Sequence, residues 1–312
     1  MIFSRWYAVM VVGFWLATMG WLIRDKILPT FLLGSPPKSQ EIVDAYQQDR
    51  LVGWKILWRE REIGWAVSKT TVSDEQVTEL RHLVRFRELP VHEIFPVVWQ
   101  ALGGPDTGLK MRLEVETTLF FDPLKRLSSF QTRLRTPGVS ESLAIVRGTV
   151  DKGQIQLVLQ SGSFMYSTEL PFRNDAILTD SFSPQASLPG LREGQQWTVE
   201  IYSPVPLPHQ AVSGKPIDVI HAKVEGRDMI LWEGSRRPCW VVVYRNDPAQ
   251  TVSAHSSPRG RLWVEPSGRV LRQEAKVGDG YLVLVRLSDA QAKTLAQRLE
   301  KAQPAEEGRS HD

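Results

Sequence analysis

The chain has 312 residues, 42% hydrophobic and 23% charged, which is the composition of an ordinary folded globular protein with room for one large or two smaller domains. Its 38 basic and 35 acidic side chains leave a net charge of only +3, and no basic cluster interleaved with aromatic residues stands out, so no nucleic-acid partner is expected. A single cysteine, Cys239, excludes an internal disulfide framework and any multi-cysteine metal site.

From Trp6 to Ile23 the residues are apolar or small and uncharged, bracketed by Arg5 on one side and Arg24, Asp25 and Lys26 on the other. The run is just long enough to span a bilayer, and Trp6, Tyr7 and Trp21 stand near its ends, where amphipathic rings favour the headgroup level. No Ala-x-Ala cleavage pattern follows it, which argues against a signal peptide. Residues 1–26 are therefore expected to be an N-terminal transmembrane helix, a single-pass anchor in the inner membrane. A large following domain translocates regardless of modest flanking charge, which puts the rest of the chain outside the cytoplasm. Residues 27–50, with Pro29, Gly34, Pro36 and Pro37, read as a juxtamembrane linker in which Glu41–Gln48 adds a short helical turn.

Residues 51–287 read as an antiparallel β domain. In its first hairpin, pairing Arg59 with Glu62 aligns Trp54, Ile56 and Trp58 with Val67, Trp65 and Ile63 on one face. Trp54, Trp58 and Trp65 then either pack a core or line a groove for a lipid or other apolar ligand. Thr78–Glu88 alternates as a further strand, and Gly103-Gly104-Pro105-Asp106 is a loop signal. The strongest pattern is Lys110–Arg135. Pairing Asp122 with Leu127 gathers Leu113, Val115, Thr117, Leu119 and Phe121 on one face with Leu134, Thr132 and Phe130. On the other face it sets Glu116 opposite Arg133 and Glu114 opposite Arg135. A third hairpin turns at Lys152-Gly153, with Val150 opposite Ile155, Gly148 opposite Leu157 and Val146 opposite Leu159.

Ser181–Gly190, rich in Ser, Pro and Gly, reads as a crossover loop dividing two halves. Strands resume at Gln196–Tyr202 and continue near Ile217–Val224, Pro238–Tyr244, Gly260–Val264, Val270–Val277 and Tyr281–Leu287. Residues 288–302 form a short C-terminal helix opened by the capping box of Ser288 and Gln291. Residues 303–312 form a polar, disordered tail.

The sequence shows no catalytic constellation. The six histidines, His82, His92, His209, His221, His255 and His311, make no metal-site spacing. Ser161-Gly162-Ser163 is a loop and not a nucleophile elbow, and no glycine-rich phosphate cradle appears. Cys239, in Pro238-Cys239-Trp240-Val241, reads as a buried strand thiol. No cofactor, metal or catalytic residue is expected, and the chain is read as a non-enzyme.

Several short stretches carry a family likeness: Leu188-Pro189-Gly190-Leu191, Glu193-Gly194-Gln195-Gln196-Trp197, Val224-Glu225-Gly226, and Leu262-Trp263-Val264-Glu265-Pro266-Ser267-Gly268-Arg269-Val270-Leu271. Together with Ile63-Gly64-Trp65, they resemble uncharacterised bacterial envelope proteins whose β half-barrel is similar to that of the periplasmic lipoprotein carriers. The resemblance covers Leu51–Leu287. It implies a strongly curved antiparallel sheet with a concave apolar face able to hold an acyl chain or a peptide. A tethered domain cannot shuttle, so a carrier role does not follow.

The sequence thus predicts a mainly β protein: an N-terminal transmembrane helix, a large curved antiparallel sheet of half-barrel type, and a short C-terminal helix. Its expected role is membrane-anchored, extracytoplasmic binding or scaffolding, with a lipid or an envelope protein complex as partner. The rival assignment is an envelope hydrolase with a motif-free active site.

Overall fold

The computed structural model describes residues 3–22, 37, 39–94, 110–137, 139, 141–172, 183–202, 217–246 and 257–302. Strands β1 (Leu51–Trp58), β2 (Arg61–Val72), β3 (Thr78–Pro90), β4 (Lys110–Phe121), β5 (Leu127–Arg135), β6 (Ser142–Asp151), β7 (Gln154–Ser161) and β8 (Phe164–Pro171) form one meander. A second comprises β9 (Gln196–Tyr202), β10 (Ile217–Trp232), β11 (Ser235–Asn246), β12 (Gly260–Val264), β13 (Val270–Val277) and β14 (Gly280–Arg286). The helices are α1 (Phe3–Leu22), α2 (Ser39–Gln48), α3 (Val91–Ile94) and α4 (Asp289–Ala302).

All the strands belong to one 14-stranded antiparallel sheet, ordered β8-β7-β6-β5-β4-β3-β2-β1-β14-β13-β12-β11-β10-β9. The two meanders are joined through β1 and β14, where Trp54 faces Arg286 and Ile56 faces Leu284. Strands β8 and β9 follow one another in the chain yet stand at opposite edges, so the sheet is not closed.

The Lys110–Arg135 hairpin forms in the register its charge and apolar patterns require, with Glu114 opposite Arg135, Glu116 opposite Arg133 and Leu119 opposite Phe130. A bulge between Phe120 and Phe121 brings Phe121 opposite Leu127, a local shift at the turn. The β6–β7 hairpin likewise has Val150 opposite Ile155 and Gly148 opposite Leu157. Its turn residues Lys152 and Gly153 have φ of 48° and 78°, as a two-residue turn of primed type demands.

One face of the sheet carries the core. Val52, Trp54, Ile56, Val84, Phe86, Val115, Val224, Val242, Leu262 and Leu284 form a single buried cluster with Ile42 of α2. Tyr46 of α2 packs against that cluster and against a second one drawn from Leu80, Leu119, Phe130, Val146, Ile155 and Leu157. Tyr244 of β11 packs against the same first cluster. At about 4.8 Å per strand, β3 and β11 would be about 29 Å apart in a flat sheet, so the sheet curls around α2.

The described end of the crossover, residues 183–190, runs inside this curl, with Ala186 and Leu188 both buried. The stretches behind the family likeness are its points of attachment. Leu188 N donates to Gly268 O at 2.7 Å, Val270 N donates to Ala186 O at 3.1 Å, and Val224 N donates to Gln195 O at 2.9 Å. Gly268 has φ of 93°, and a Cβ there would come within 2.8 Å of Pro189 Cα, so both the turn and the close approach require glycine.

One expectation is corrected. Helix α1 forms where the apolar run predicted it, and Met10–Trp21 are exposed, but among the described residues no helix is long and apolar enough to cross a membrane. The helix has 20 residues, so any 18-residue stretch of it includes Arg5, and its Trp, Tyr, Gly and Thr residues dilute the aliphatic content. The helical turn expected at Glu41–Gln48 forms as α2, which packs Ile42 into the core cluster. The proline-rich part of the segment 27–50, the Gly103–Pro105 loop and the tail 303–312 lie outside the described residues.

Candidate functional site beneath the C-terminal helix

The three tryptophans expected on one face divide between two. Arg59 and Glu60 both take positive φ, 46° and 67°, and make the turn themselves, so Trp58 pairs with Arg61. A bulge between Ile56 and Leu57 then sets Trp54 opposite Ala66 and Lys55 opposite Trp65. This is one residue away from the expected pairing, and a one-residue slip turns every later side chain to the other face. Trp54 and Trp58 are buried in the core, and Trp58 Nε1 donates to Glu93 Oε2 at 2.9 Å. Trp65 points to the outer face, where the Arg85 guanidinium lies 5.4 Å from its ring centroid.

Helix α4 covers this outer face. Ser288 N donates to Gln291 Oε1 at 3.1 Å and Gln291 N donates to Ser288 Oγ at 3.3 Å, the reciprocal capping box read from the sequence. The helix can lie this close because β1 carries Gly53 beneath Ala292, and Leu287 N donates to Gly53 O at 2.9 Å. Between α4 and the sheet runs a groove of about 460 Å³ whose lining includes Trp65, Leu287 and Leu295 as well as Lys55, Glu62, Arg87 and Arg298. Such a volume suits a small ligand. Arg87 approaches Glu62 only at 3.8 Å, so three cationic side chains share one carboxylate in the lining. The site can hold an apolar body beside the indole while drawing an anionic group to its rim.

Lys55, Arg87 and Arg298 were not singled out from the sequence, because they come from three separate segments. A strand glycine at Gly53 and a small residue at Ala292 on an amphipathic helix were the available signals for close helix–sheet packing.

The concave face holds a polar row across neighbouring strands. Ser68 Oγ and His82 Nδ1 lie 2.7 Å apart, and Thr117 Oγ1 and Thr132 Oγ1 lie 3.1 Å apart. Burial pushes the His82 imidazole down to about 4, so the ring is neutral near pH 7. Ser68 and His82 are buried, at 2% and 4% exposure. Cys239 is buried, and burial, with Glu265 and Asp228 nearby, pushes its thiol up to about 12. Among the described residues no group of three His, Cys, Asp or Glu side chains is placed to hold a metal ion.

Together these features define a mainly β domain on one open, curled antiparallel sheet, with an amphipathic groove on its outer face. No protein-family model matches the chain, and no curated protein matches it in sequence. Among solved structures it is similar to a beta-barrel-like protein of the domain of unknown function DUF1849 from Brucella abortus, at 11% identity and a TM-score of 0.43, covering 76% of this chain and 94% of that one. It is also similar to a DUF1089 family protein from Pseudomonas aeruginosa, at 15% identity and a TM-score of 0.33, covering 69% of this chain and 91% of that one.

Proposed function

We propose that this chain is a non-catalytic binding domain of the bacterial cell envelope. In this reading an extracytoplasmic half-barrel sits at the inner membrane and takes an acyl chain bearing an anionic head. The observation that carries the reading is the groove under α4, where the Trp65 indole lies among Lys55, Arg87 and Arg298, with Glu62 the only acidic lining residue among the described residues. Helix α1 supports the location, since Met10, Phe14, Trp15 and Leu16 are each more than half exposed and its tryptophans suit the headgroup layer. In this reading the ligand site lies on the outer face, since on the concave side Ile42 of α2 and Ala186 and Leu188 of the crossover pack into the core.

The test is native mass spectrometry of the full chain purified from its own host in mild detergent, followed by displacement with a fluorescent fatty acid. A co-purifying acyl species whose binding weakens at least tenfold in the Lys55→Glu, Arg298→Glu double variant is expected. Tenfold is about 1.4 kcal/mol. An empty protein that leaves the probe unbound, or unchanged affinity in a folded variant, overturns the assignment.

A further inference from the structure

We infer that β8 is a homodimerisation edge, through which two copies of the chain join their sheets by antiparallel β8–β8 pairing about a two-fold axis at Ser167. Strand β8 ends the sheet, and among the described residues it pairs only with β7. The β7–β8 hairpin turns at Gly162-Ser163, with Gly162 at φ 55° and Ser161 paired with Phe164. The residues flanking a two-residue turn exchange both backbone hydrogen bonds, and such pairs alternate along an antiparallel ladder. Phe164, Tyr166, Thr168 and Leu170 therefore spend their N–H and C=O groups on β7. Met165, Ser167 and Glu169 aim theirs at the open edge.

Edges of this kind are normally blunted by charged side chains, above all lysine, by proline, by an inward charge or by a bulge; here such devices are confined to the C-terminal end of β8, at Glu169 and Pro171. The eight residues of β8 include no lysine or arginine, and Phe164, Met165 and Tyr166 are 59%, 67% and 53% exposed.

The sequence of β8 is self-complementary in one symmetric register. With Ser167 opposite Ser167 of the partner subunit, Phe164 meets Leu170 of the partner subunit and Tyr166 meets Thr168 of the partner subunit. Both are aromatic–aliphatic or aromatic–β-branched cross-strand pairs. On the other face Glu169 meets Met165 of the partner subunit, so the two carboxylates do not oppose each other. Moving the register two residues one way sets Pro171, which has no N–H to give, opposite Met165 of the partner subunit. Moving it the other way leaves Leu170 opposite a turn glycine. The pairing thus selects a second copy over an arbitrary strand, and its symmetry closes at two subunits.

The experiment is site-directed cross-linking of the full chain in mild detergent. In the Ser167→Cys variant the two new thiols stand on the two-fold axis, about 5.5 Å apart at Cα, which is within disulfide reach. The native Cys239 is buried and stays silent. Oxidation is expected to give a covalent dimer with Ser167→Cys and monomer with a control cysteine at the exposed Lys152 turn. Ser167→Pro removes an N–H that β7 does not use, so it is expected to abolish the dimer in sedimentation while leaving the β circular dichroism unchanged. Equal cross-linking of both cysteine variants, which association through α1 would produce, overturns the proposal. So does a ladder of higher oligomers, or a wild-type chain that stays monomeric at every concentration.

Discussion

A Cβ built on Gly53 would stand 3.0 Å from Ala292 Cβ and 3.1 Å from Ala292 Cα, so even a methyl group there needs α4 to give by a few tenths of an ångström, and a larger side chain needs more. Ala292 is itself 1% exposed. The groove exists because this contact holds one side of α4 against the sheet while Trp65 and Leu295 line the gap beside it. Gly53→Val must push the helix outward, and overpacking of this kind costs about 1–3 kcal/mol. The variant is expected to stay folded with a lowered urea midpoint and to lose fatty-acid binding. Retained binding at wild-type stability would show that α4 is not fixed at this point.

Arg286 is the charged counterpart of that contact on the concave side. Its side chain is 1% exposed; Nη2 donates to Asp49 Oδ2 at 2.7 Å and Nη1 donates to Ala186 O at 3.0 Å. One guanidinium thus ties the segment after α2, the crossover and β14 together, and burial pulls its pKa down against the pull of Asp49. Asp49→Asn removes the carboxylate hydrogen-bonded to that buried cation, leaving only the weaker influence of Asp289. Because Asp49 keeps about a third of its exposure, the loss should be about 3 kcal/mol, the low end for breaking a buried pair. Adding Arg286→Met to Asp49→Asn should recover part of that loss, which a double-mutant cycle in urea measures.

How far the sequence specified this architecture depends on what pinned each register. In the β4–β5 hairpin, Glu114 and Glu116 needed their arginines on one face while Leu119 and Phe130 needed each other on the opposite one, and only one register satisfies both. The β1–β2 hairpin had no such double constraint. Its turn is made by Arg59 and Glu60 in a conformation usually left to Gly or Asn, and the bulge at Ile56 adds a residue that alternation alone does not reveal. The β1–β14 pairing that unites the meanders joins Trp54 to Arg286, residues far apart in the chain with no shared local pattern. The groove depends on that pairing, because α4 reaches β1 and β2 only after β14 has been laid beside β1. Its cationic lining was therefore illegible even though the helix and its cap were not.

Phe130 lies across Gly148 on the neighbouring strand, filling the space that a side chain there would take. The ring is 3% exposed and belongs to the second core cluster. Gly148→Ala forces a Cβ into the ring and should destabilise the fold by about 1–3 kcal/mol despite alanine's better backbone propensity. Combining it with Phe130→Leu should recover part of the loss, read from thermal melts of the four-protein cycle. A neutral single variant would mean that the ring moves aside freely.

His82 gives the fold an acid-sensitive element whose sign follows from its burial. Its folded pKa is lowered from 6.5 to about 4, because the charged ring cannot be solvated between β2 and β4. In the unfolded chain the ring takes up a proton below about pH 6.5, so there the unfolded state binds more protons than the folded one. Above that pH the residue has no effect. As the pH falls toward 4 it removes stability, amounting to about 3 kcal/mol by pH 4. Other groups titrate over the same range, so the measurement is a difference. Urea midpoints of wild type and His82→Gln should run parallel from pH 8 to pH 7 and converge below it, with the wild type losing more. Parallel curves down to pH 4 would mean that His82 reaches solvent or a counter-charge in the folded protein, and that the Ser68–His82 pair is not sealed in the core.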